Sequence, residues 1–257
     1  MNAALPAQGF SIAHKRDWAS LKARANFFTR AQILEMCVRS SLRVPGNIVE
    51  FGVADGSSTR VIRHALSRYG KSYFVPFATK KIFALDSFEG LREQFENAPV
   101  GMFAGDVPKI SGVRFVKGYF EDTCTDALRR QVGKVAFAHL DADLFSSTLF
   151  ALGWLSPMLS TGSLLLFDEF TGGDFAEAKA FDEWRKSGDL ELIRIAEFDR
   201  EPSGDGDNPD RRVLFQVVKN DTLPPRIDKD KPAWKLAYYL GRIGLKGLQW
   251  RIENRLV

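Results

Sequence analysis

From Asn47 onward, short apolar runs alternate with stretches that have the apolar spacing of helices. The runs read as strands, and they lie within "NIVEFGV", "KIFALDSF", "VRFVKGYF", "KVAFAHLDA", "GSLLLFDEF", "ELIRIAEF" and "RRVLFQVVK". Most runs are continuously apolar and do not alternate with polar residues, which indicates strands buried on both faces of a parallel sheet. The alternation of strands with helices therefore predicts an α/β fold.

The intervening segments predict helices over "GSSTRVIRHALSRYG", "EDTCTDALRRQ", "FSSTLFALGWLSPML" and "DFAEAKAFDEWRKSG". No helix separates the last two strands, so we expect them to form a hairpin that adds one antiparallel strand. A seven-stranded, mostly parallel sheet of this kind is the Rossmann-like fold of class I methyltransferases. The pattern divides the chain into a helical lid region (1–44), this α/β domain (45–222) and a basic, aromatic tail (223–257).

Composition excludes several classes of protein. The two cysteines, Cys37 and Cys124, are far apart and form neither a disulfide framework nor a zinc site, which favours a reducing, cytoplasmic location. The N-terminus lacks the pattern of a secretory signal, and no run is long enough to span a bilayer. The 257 residues carry a net charge of +4. The tail alone carries +5, so residues 1–222 have a net charge of −1 and give no support to nucleic-acid binding.

The first strand ends in "VEFGVADGSSTR", with Glu50 in the strand and Gly52 and Gly56 around the following turn. The spacing is not G-x-G-x-x-G, so a pyrophosphate-binding loop is disfavoured. An acidic residue beside the loop suits the cationic amino group of S-adenosylmethionine, and Gly52 would let the backbone approach it. The alternative is an ordinary turn in which Ser57 or Ser58 caps the helix.

The next two strands end in further candidate contacts for this cofactor. Asp86 is placed to accept hydrogen bonds from ribose hydroxyls, with help from Ser87. Phe120 would cover the adenine, and Glu121 or Asp122 would accept from its amino group. For Asp122, capping of the following helix is the more ordinary role.

Two neighbouring central strands end in four carboxylates, Asp141, Asp143, Asp168 and Glu169. Mutual repulsion makes such a group of carboxylates unfavourable unless a cation neutralises their charge. Carboxylate oxygen ligands favour Mg²⁺ or Mn²⁺. We predict Asp141, Asp168 and Glu169 as metal ligands, Asp141 also lining the cofactor site. The metal would acidify an acceptor hydroxyl, and either Asp143 or His139 would take its proton; a buried strand histidine is more commonly structural.

In these motifs the chain resembles the macrocin O-methyltransferase family over about residues 24–219. The resemblance rests on "VEFGVADGSST", "LDSFEGL", "GYFEDT", "HLDADLFSST" and "LLFDEF" in this order. It implies a metal- and S-adenosylmethionine-dependent enzyme that methylates sugar hydroxyls of macrolides or aminocoumarins, often as an oligomer, with a helical lid over the active site. It matches Glu50 and Gly52 to the methionine end, Asp86 and Ser87 to the ribose, Asp141, Asp168 and Glu169 to the metal, and Asp143 to the base.

Three residues depart from the family pattern, namely Ala142 for glycine, Phe145 for tyrosine and Glu169 for aspartate. The first two would reshape the acceptor pocket, and the third would change the ligand geometry. The resemblance implies a small-molecule or glycan acceptor, whose identity these departures leave open, and a homo-oligomer.

Two other functions stay open at this point, a metal-dependent methyltransferase for catechol-type phenols and a catalytically silent scaffold. The tail would pack against the body or a second subunit, or alternatively contact a membrane surface.

Overall fold

A computed structural model describes residues 28–72, 80–94, 98–170, 176–186, 190–199 and 211–220. Residues 1–27 of the predicted lid region and the whole predicted tail lie outside the described residues. The described helices include none that is long and apolar enough to cross a membrane.

Within the described residues, seven strands form one sheet in the order β3-β2-β1-β4-β5-β7-β6. Their bounds are β1 Asn47–Phe51, β2 Ile82–Asp86, β3 Val113–Lys117, β4 Val135–Leu140, β5 Leu159–Phe167, β6 Leu190–Asp199 and β7 Arg211–Asn220. Strands β1 to β5 pair in parallel, whereas β7 pairs antiparallel with both β5 and β6. The predicted fold class is therefore confirmed, including the single antiparallel strand.

Helices cover both faces of this sheet. They are α1 Arg30–Ser41, α2 Ser57–Ser72, α3 Phe120–Thr123, α4 Asp126–Val132, α5 Phe145–Leu155 and α6 Ala176–Lys186. One core packs α1 and α2 against alternate strand residues such as Ile48 and Phe137. The other packs α3 to α6 against the opposite set, such as Phe51 and Phe167. Every residue of β4 is buried, as its continuous apolar sequence predicts.

The predicted helix over "EDTCTDALRRQ" is two helices, because a break at Cys124 separates α3 from α4. Thr125 caps α4 by accepting a hydrogen bond from the Leu128 N–H at 3.2 Å. The prediction that Asp122 caps this helix was therefore wrong. The suggested Ser57 or Ser58 cap of α2 was also wrong, because both residues lie inside the helix, which begins at Ser57.

Candidate active site

A cavity of about 290 Å³ opens at the carboxyl ends of β1, β2, β4 and β5. Ligands of open α/β sheets bind at this edge. Nine of the eleven site residues predicted from sequence line it, namely Gly52, Asp86, Ser87, Phe120, Glu121, Asp141, Asp143, Asp168 and Glu169. The other two, Glu50 and His139, are fully buried beneath its floor.

Gly52 lets the ends of β1 and β4 come together. It has a positive φ of +83°, and a Cβ on this residue would lie 1.8 Å from the backbone oxygen of Asp141. No L-residue side chain fits such a contact, and few adopt this φ without strain. The glycine therefore sets the distance between the predicted cofactor loop and the first acidic residue of the pocket.

Asp86 organises the loop that follows Gly52. Its Oδ2 accepts hydrogen bonds from the N–H groups of Val53 (2.7 Å) and Ala54 (2.9 Å), and its Oδ1 accepts from Phe88 N–H (2.7 Å). Two accepted bonds occupy Oδ2, but Oδ1 retains acceptor capacity for a ligand hydroxyl. Asp86 therefore holds the β1 and β2 loops in a fixed relation at one wall of the cavity.

The acidic wall consists of the ends of β4 and β5. Asp141, Asp168 and the buried His139 can each offer one atom such that all three atoms lie within 4.8 Å of one another. Glu169 lines the cavity but does not belong to this group. The structure thus brings together two of the three predicted metal ligands, with His139 in the third place.

Two arginines that the sequence analysis did not select compensate this acidic pair. Arg30, at the first position of α1, forms a hydrogen bond with Asp141, and its Nε lies 3.1 Å from Asp168 Oδ1. Arg212, from β7, donates to the same oxygen of Asp168 at 2.7 Å. Burial alone would raise the pKa of Asp168, but His139 and the two guanidinium groups hold it well below its ordinary value.

A buried chain of polar side chains runs from α2 to the acidic pair. Thr59 donates to Glu50 at 2.5 Å, and the other oxygen of Glu50 lies 3.0 Å from His139 Nδ1. His139 Nε2 is buried, lies 3.8 Å from Asp168 Oδ1 and has no hydrogen-bond partner among the described residues. Burial would lower the pKa of His139, but the carboxylates of Asp168 and Glu50 raise it to about 9.

The two predicted bases, His139 and Asp143, differ in burial and in access to the cavity. His139 is fully buried and does not line the cavity, and its raised pKa favours the protonated form, which cannot accept a proton from a bound hydroxyl. Asp143 lines the cavity directly, on a backbone bend with a positive φ of 56°. Glu50 orients His139 from below; its predicted contact with an amino group stays a prediction.

Glu177 is a functional candidate that the sequence analysis missed. This α6 residue is almost fully buried and accepts hydrogen bonds from the backbone N–H groups of Ala142 (3.3 Å) and Glu169 (3.0 Å). Burial and the charge of Asp141 raise its pKa well above its ordinary value. Glu177 therefore ties together the two loops that carry the cavity acids.

The residues present fit a divalent cation. Two carboxylates supply hard oxygen ligands. His139 Nε2, which has no hydrogen-bond partner among the described residues, would offer a third donor once a bound cation displaces its proton. Oxygen donors suit Mg²⁺ or Mn²⁺, and the imidazole widens the choice toward other transition metals.

Another part of the cavity lining carries an aromatic ring beside an arginine. The Arg92 guanidinium lies 4.1 Å from the centre of the Tyr119 ring and 3.4 Å from Glu121. Leu91, Phe103 and Leu144 also line the cavity, and the side chain of Phe103 is about half exposed. The lining thus offers both apolar surface and hydrogen-bonding groups to a ligand.

Residues 49–170, from β1 to the end of β5, match a family profile described as a methyltransferase domain. Over these residues the chain is similar to a methyltransferase domain. It is 30% identical over 179 residues, 60% of its length, to 8-demethyl-8-(2,3-dimethoxy-alpha-L-rhamnosyl)-tetracenomycin-C 4'-O-methyltransferase of Streptomyces olivaceus. It is 26% identical over 210 residues, 70% of its length, to demethyldecarbamoylnovobiocin O-methyltransferase of Streptomyces niveus.

The chain spans 65% of the first of these relatives and 75% of the second. Both relatives are O-methyltransferases of the kind that the sequence motifs resemble, so the predicted resemblance is confirmed. The solved structure of the O-methyltransferase NovP covers 74% of the chain and 80% of its own length, with a TM-score of 0.56 and 24% identity, and supports the same fold.

The methyltransferase domain match includes the predicted acids of the cavity but omits three residues that organise them. Arg30 precedes the matched range, and Glu177 and Arg212 follow it. The electrostatic balance of the acidic wall therefore depends on parts of the chain outside the matched domain.

Proposed function

We propose that this protein is an S-adenosylmethionine- and Mg²⁺-dependent O-methyltransferase that acts on a hydroxyl group of a sugar or glycosylated metabolite. The observation that carries the proposal is that one cavity holds both Asp86 and the acidic wall of Asp141, Asp143 and Asp168. A methyl donor along Asp86 and an acceptor hydroxyl at the acidic wall would then share a single cavity. The sugar-containing substrate named for the Streptomyces olivaceus relative supports the acceptor class.

The chain's own residues divide the task. Gly52 and the Asp86 loop bind and orient the donor, and Tyr119 and Phe120 border the same cavity for its adenine. Asp141, Asp168 and His139 would hold the cation, which when bound lowers the pKa of an alcohol. Asp143 would accept the hydroxyl proton at a carboxylate oxygen, because it reaches the cavity and His139 does not.

The donor site is tested by the melting temperature with S-adenosylhomocysteine, with and without Mg²⁺. A ligand that binds the native state raises the melting temperature by mass action. At a ligand concentration of 100 times its Kd, the free energy of unfolding increases by about 2.7 kcal/mol. We expect a rise with S-adenosylhomocysteine and a further rise with Mg²⁺. No rise with S-adenosylhomocysteine would instead favour the silent scaffold.

Two substitutions test the division of roles. Asp141→Asn should abolish turnover while S-adenosylhomocysteine affinity by calorimetry changes little. Asp143→Asn should reduce kcat by about 100-fold or more with nearly unchanged metal affinity, the usual range for loss of a general base. An unchanged kcat would remove Asp143 from its role, and turnover of catechols but not of sugars in an acceptor panel would change the proposed substrate class.

A further inference from the structure

Arg30 occupies the position in which a divalent cation would be expected. Its Nη2 bonds Asp141 Oδ2 and its Nε lies 3.1 Å from Asp168 Oδ1, so one guanidinium bridges the two carboxylates. These oxygens belong to the same two residues that combine with His139 in the candidate metal group. The arginine thus supplies positive charge where the proposed cofactor would supply it.

The guanidinium and a dication cannot share these oxygens. A divalent cation requires its ligand oxygens at about 2.0–2.6 Å, which would place it within the space that the guanidinium now bridges. Two cationic groups so close together would also repel each other strongly at a partly buried site. Metal binding therefore requires that Arg30 leave.

Arg30 rather than Arg212 is able to leave. Arg212 is 5% exposed and belongs to a strand paired on both sides, whereas the Arg30 side chain is 29% exposed at the start of a helix. Thr29 and Gln32 form a reciprocal cap that satisfies this helix end without any help from Arg30. The arginine side chain can therefore rotate outward while the backbone of α1 keeps its caps.

We propose that Arg30 is a tethered cation that neutralises Asp141 and Asp168 before the metal binds and is displaced by it. The inference rests on the proposed function, since it concerns the metal of that site. Displacement of the arginine lowers the apparent affinity for the metal and protects the acidic wall from self-repulsion while no metal is bound. His139 Nε2 is buried beside Asp168 without a hydrogen-bond partner in the described part of the chain, and it would be the third donor to the ion.

The test measures Mn²⁺ affinity by electron paramagnetic resonance in the full-length wild-type chain and in Arg30→Gln. We expect Arg30→Gln to bind Mn²⁺ about tenfold more tightly, since the ion no longer displaces a charge-assisted hydrogen bond. Arg39→Gln is the matched control, because Arg39 is an exposed arginine in the last turn of the same helix. Its Mn²⁺ affinity should equal that of the wild type.

A second readout guards against a variant that is merely unstable. Without metal, Arg30→Gln should melt at a lower temperature than the wild type. Saturating Mn²⁺ should raise the melting temperature of Arg30→Gln by more than it raises that of the wild type. Equal or weaker Mn²⁺ binding by Arg30→Gln would overturn the inference. Absence of Mn²⁺ binding in all three proteins would overturn it together with the metal dependence, while S-adenosylhomocysteine binding to the same samples reports separately on the methyltransferase function.

Discussion

At the end of β1, one hydrogen atom of Gly52 faces the carbonyl group that begins the acidic wall. A methyl group there would overlap Asp141 O at 1.8 Å, and the contact is with backbone rather than with a flexible side chain. Relief of the overlap would force β1 and β4 apart in the centre of the sheet. A single residue therefore controls both the stability and the shape of the cavity.

We predict that Gly52→Ala lowers the free energy of unfolding by more than about 3 kcal/mol, combining backbone strain with disrupted packing. Denaturant unfolding followed by circular dichroism measures this change. Gly153→Ala is the matched control, because a Cβ on this α5 residue would meet nothing within 4 Å. The control should gain up to about 1 kcal/mol from helix propensity; similar effects of the two substitutions would contradict the prediction.

At this scale the sequence predicted residues that belong to motifs and missed those that act from a distance. Asp86, Asp141 and Asp168 follow apolar strands directly, so their positions at the sheet edge could be inferred from the chain alone. Arg30 and Glu177 occur in ordinary helical sequence, and they contact the acids only because α1 and α6 pack beside the sheet. A buried glutamate in "DFAEAKAFDEW" has the same local pattern as an exposed one.

At the scale of elements, α6 connects the chemistry of the cavity to the packing of the sheet. Its Phe181 stacks on Phe215 of β7 at 4.3 Å between ring centres and also contacts Phe167 and Phe170. One turn earlier, Glu177 accepts the two backbone N–H groups of the acidic loops. The aromatic cluster thus fixes the helix that in turn fixes the loops.

Glu177→Ala should lower the free energy of unfolding by about 2 kcal/mol or more, because two backbone donors lose their buried acceptor. Alanine favours helix, so the loss cannot come from helix propensity. Glu183→Ala on the same helix removes an exposed glutamate paired with Lys186 and should cost less than about 1 kcal/mol. If urea unfolding gives the two variants equal stability, Glu177 does not hold the loops.

At the scale of the whole molecule, the sequence pattern agrees with the positions of strands in the sheet as well as with their number. Every residue of β7 from Arg212 to Val217 is buried, most of them apolar, whereas β6 mixes buried and more exposed residues. This contrast matches an internal strand and an edge strand, in agreement with the order β5-β7-β6. The break between α3 and α4 was not predicted, because the cap at Thr125 competes with a helix that the local composition favours equally well.

The amino-terminal edge of the sheet holds a lysine whose protonation affects the stability of the whole fold. Lys80 Nζ donates to the carbonyl groups of Val44 and Gly46, and burial lowers its pKa to about 7. In the unfolded chain a lysine has a pKa of about 10.4. Between about pH 7 and 10 the unfolded state therefore binds the additional proton, so this residue makes the folded state more stable as the pH rises.

We predict that the stability of the wild type relative to Lys80→Gln increases from pH 7 to pH 9.5, with a slope of at most about 1.4 kcal/mol per pH unit. Urea unfolding at a series of pH values measures the difference. Lys81→Gln, at the exposed neighbouring position, is the matched control for removal of a lysine at this edge of the sheet. A flat profile for Lys80→Gln would show that Lys80 has no such linkage.

The insertion of β7 between β5 and β6 has a consequence for how the protein is made. During synthesis, one edge of β5 at Leu164 to Phe167 stays unpaired until residues 213–216 of β7 have been made. The same late segment delivers Arg212 to Asp168, so nascent chains lack both a neighbour for β5 and a counter-charge for the pocket. Ribosome-bound chains that end before β7 should consequently expose the unpaired, aggregation-prone edge of β5. Chaperone binding to these nascent chains should cease once β7 has emerged from the ribosome.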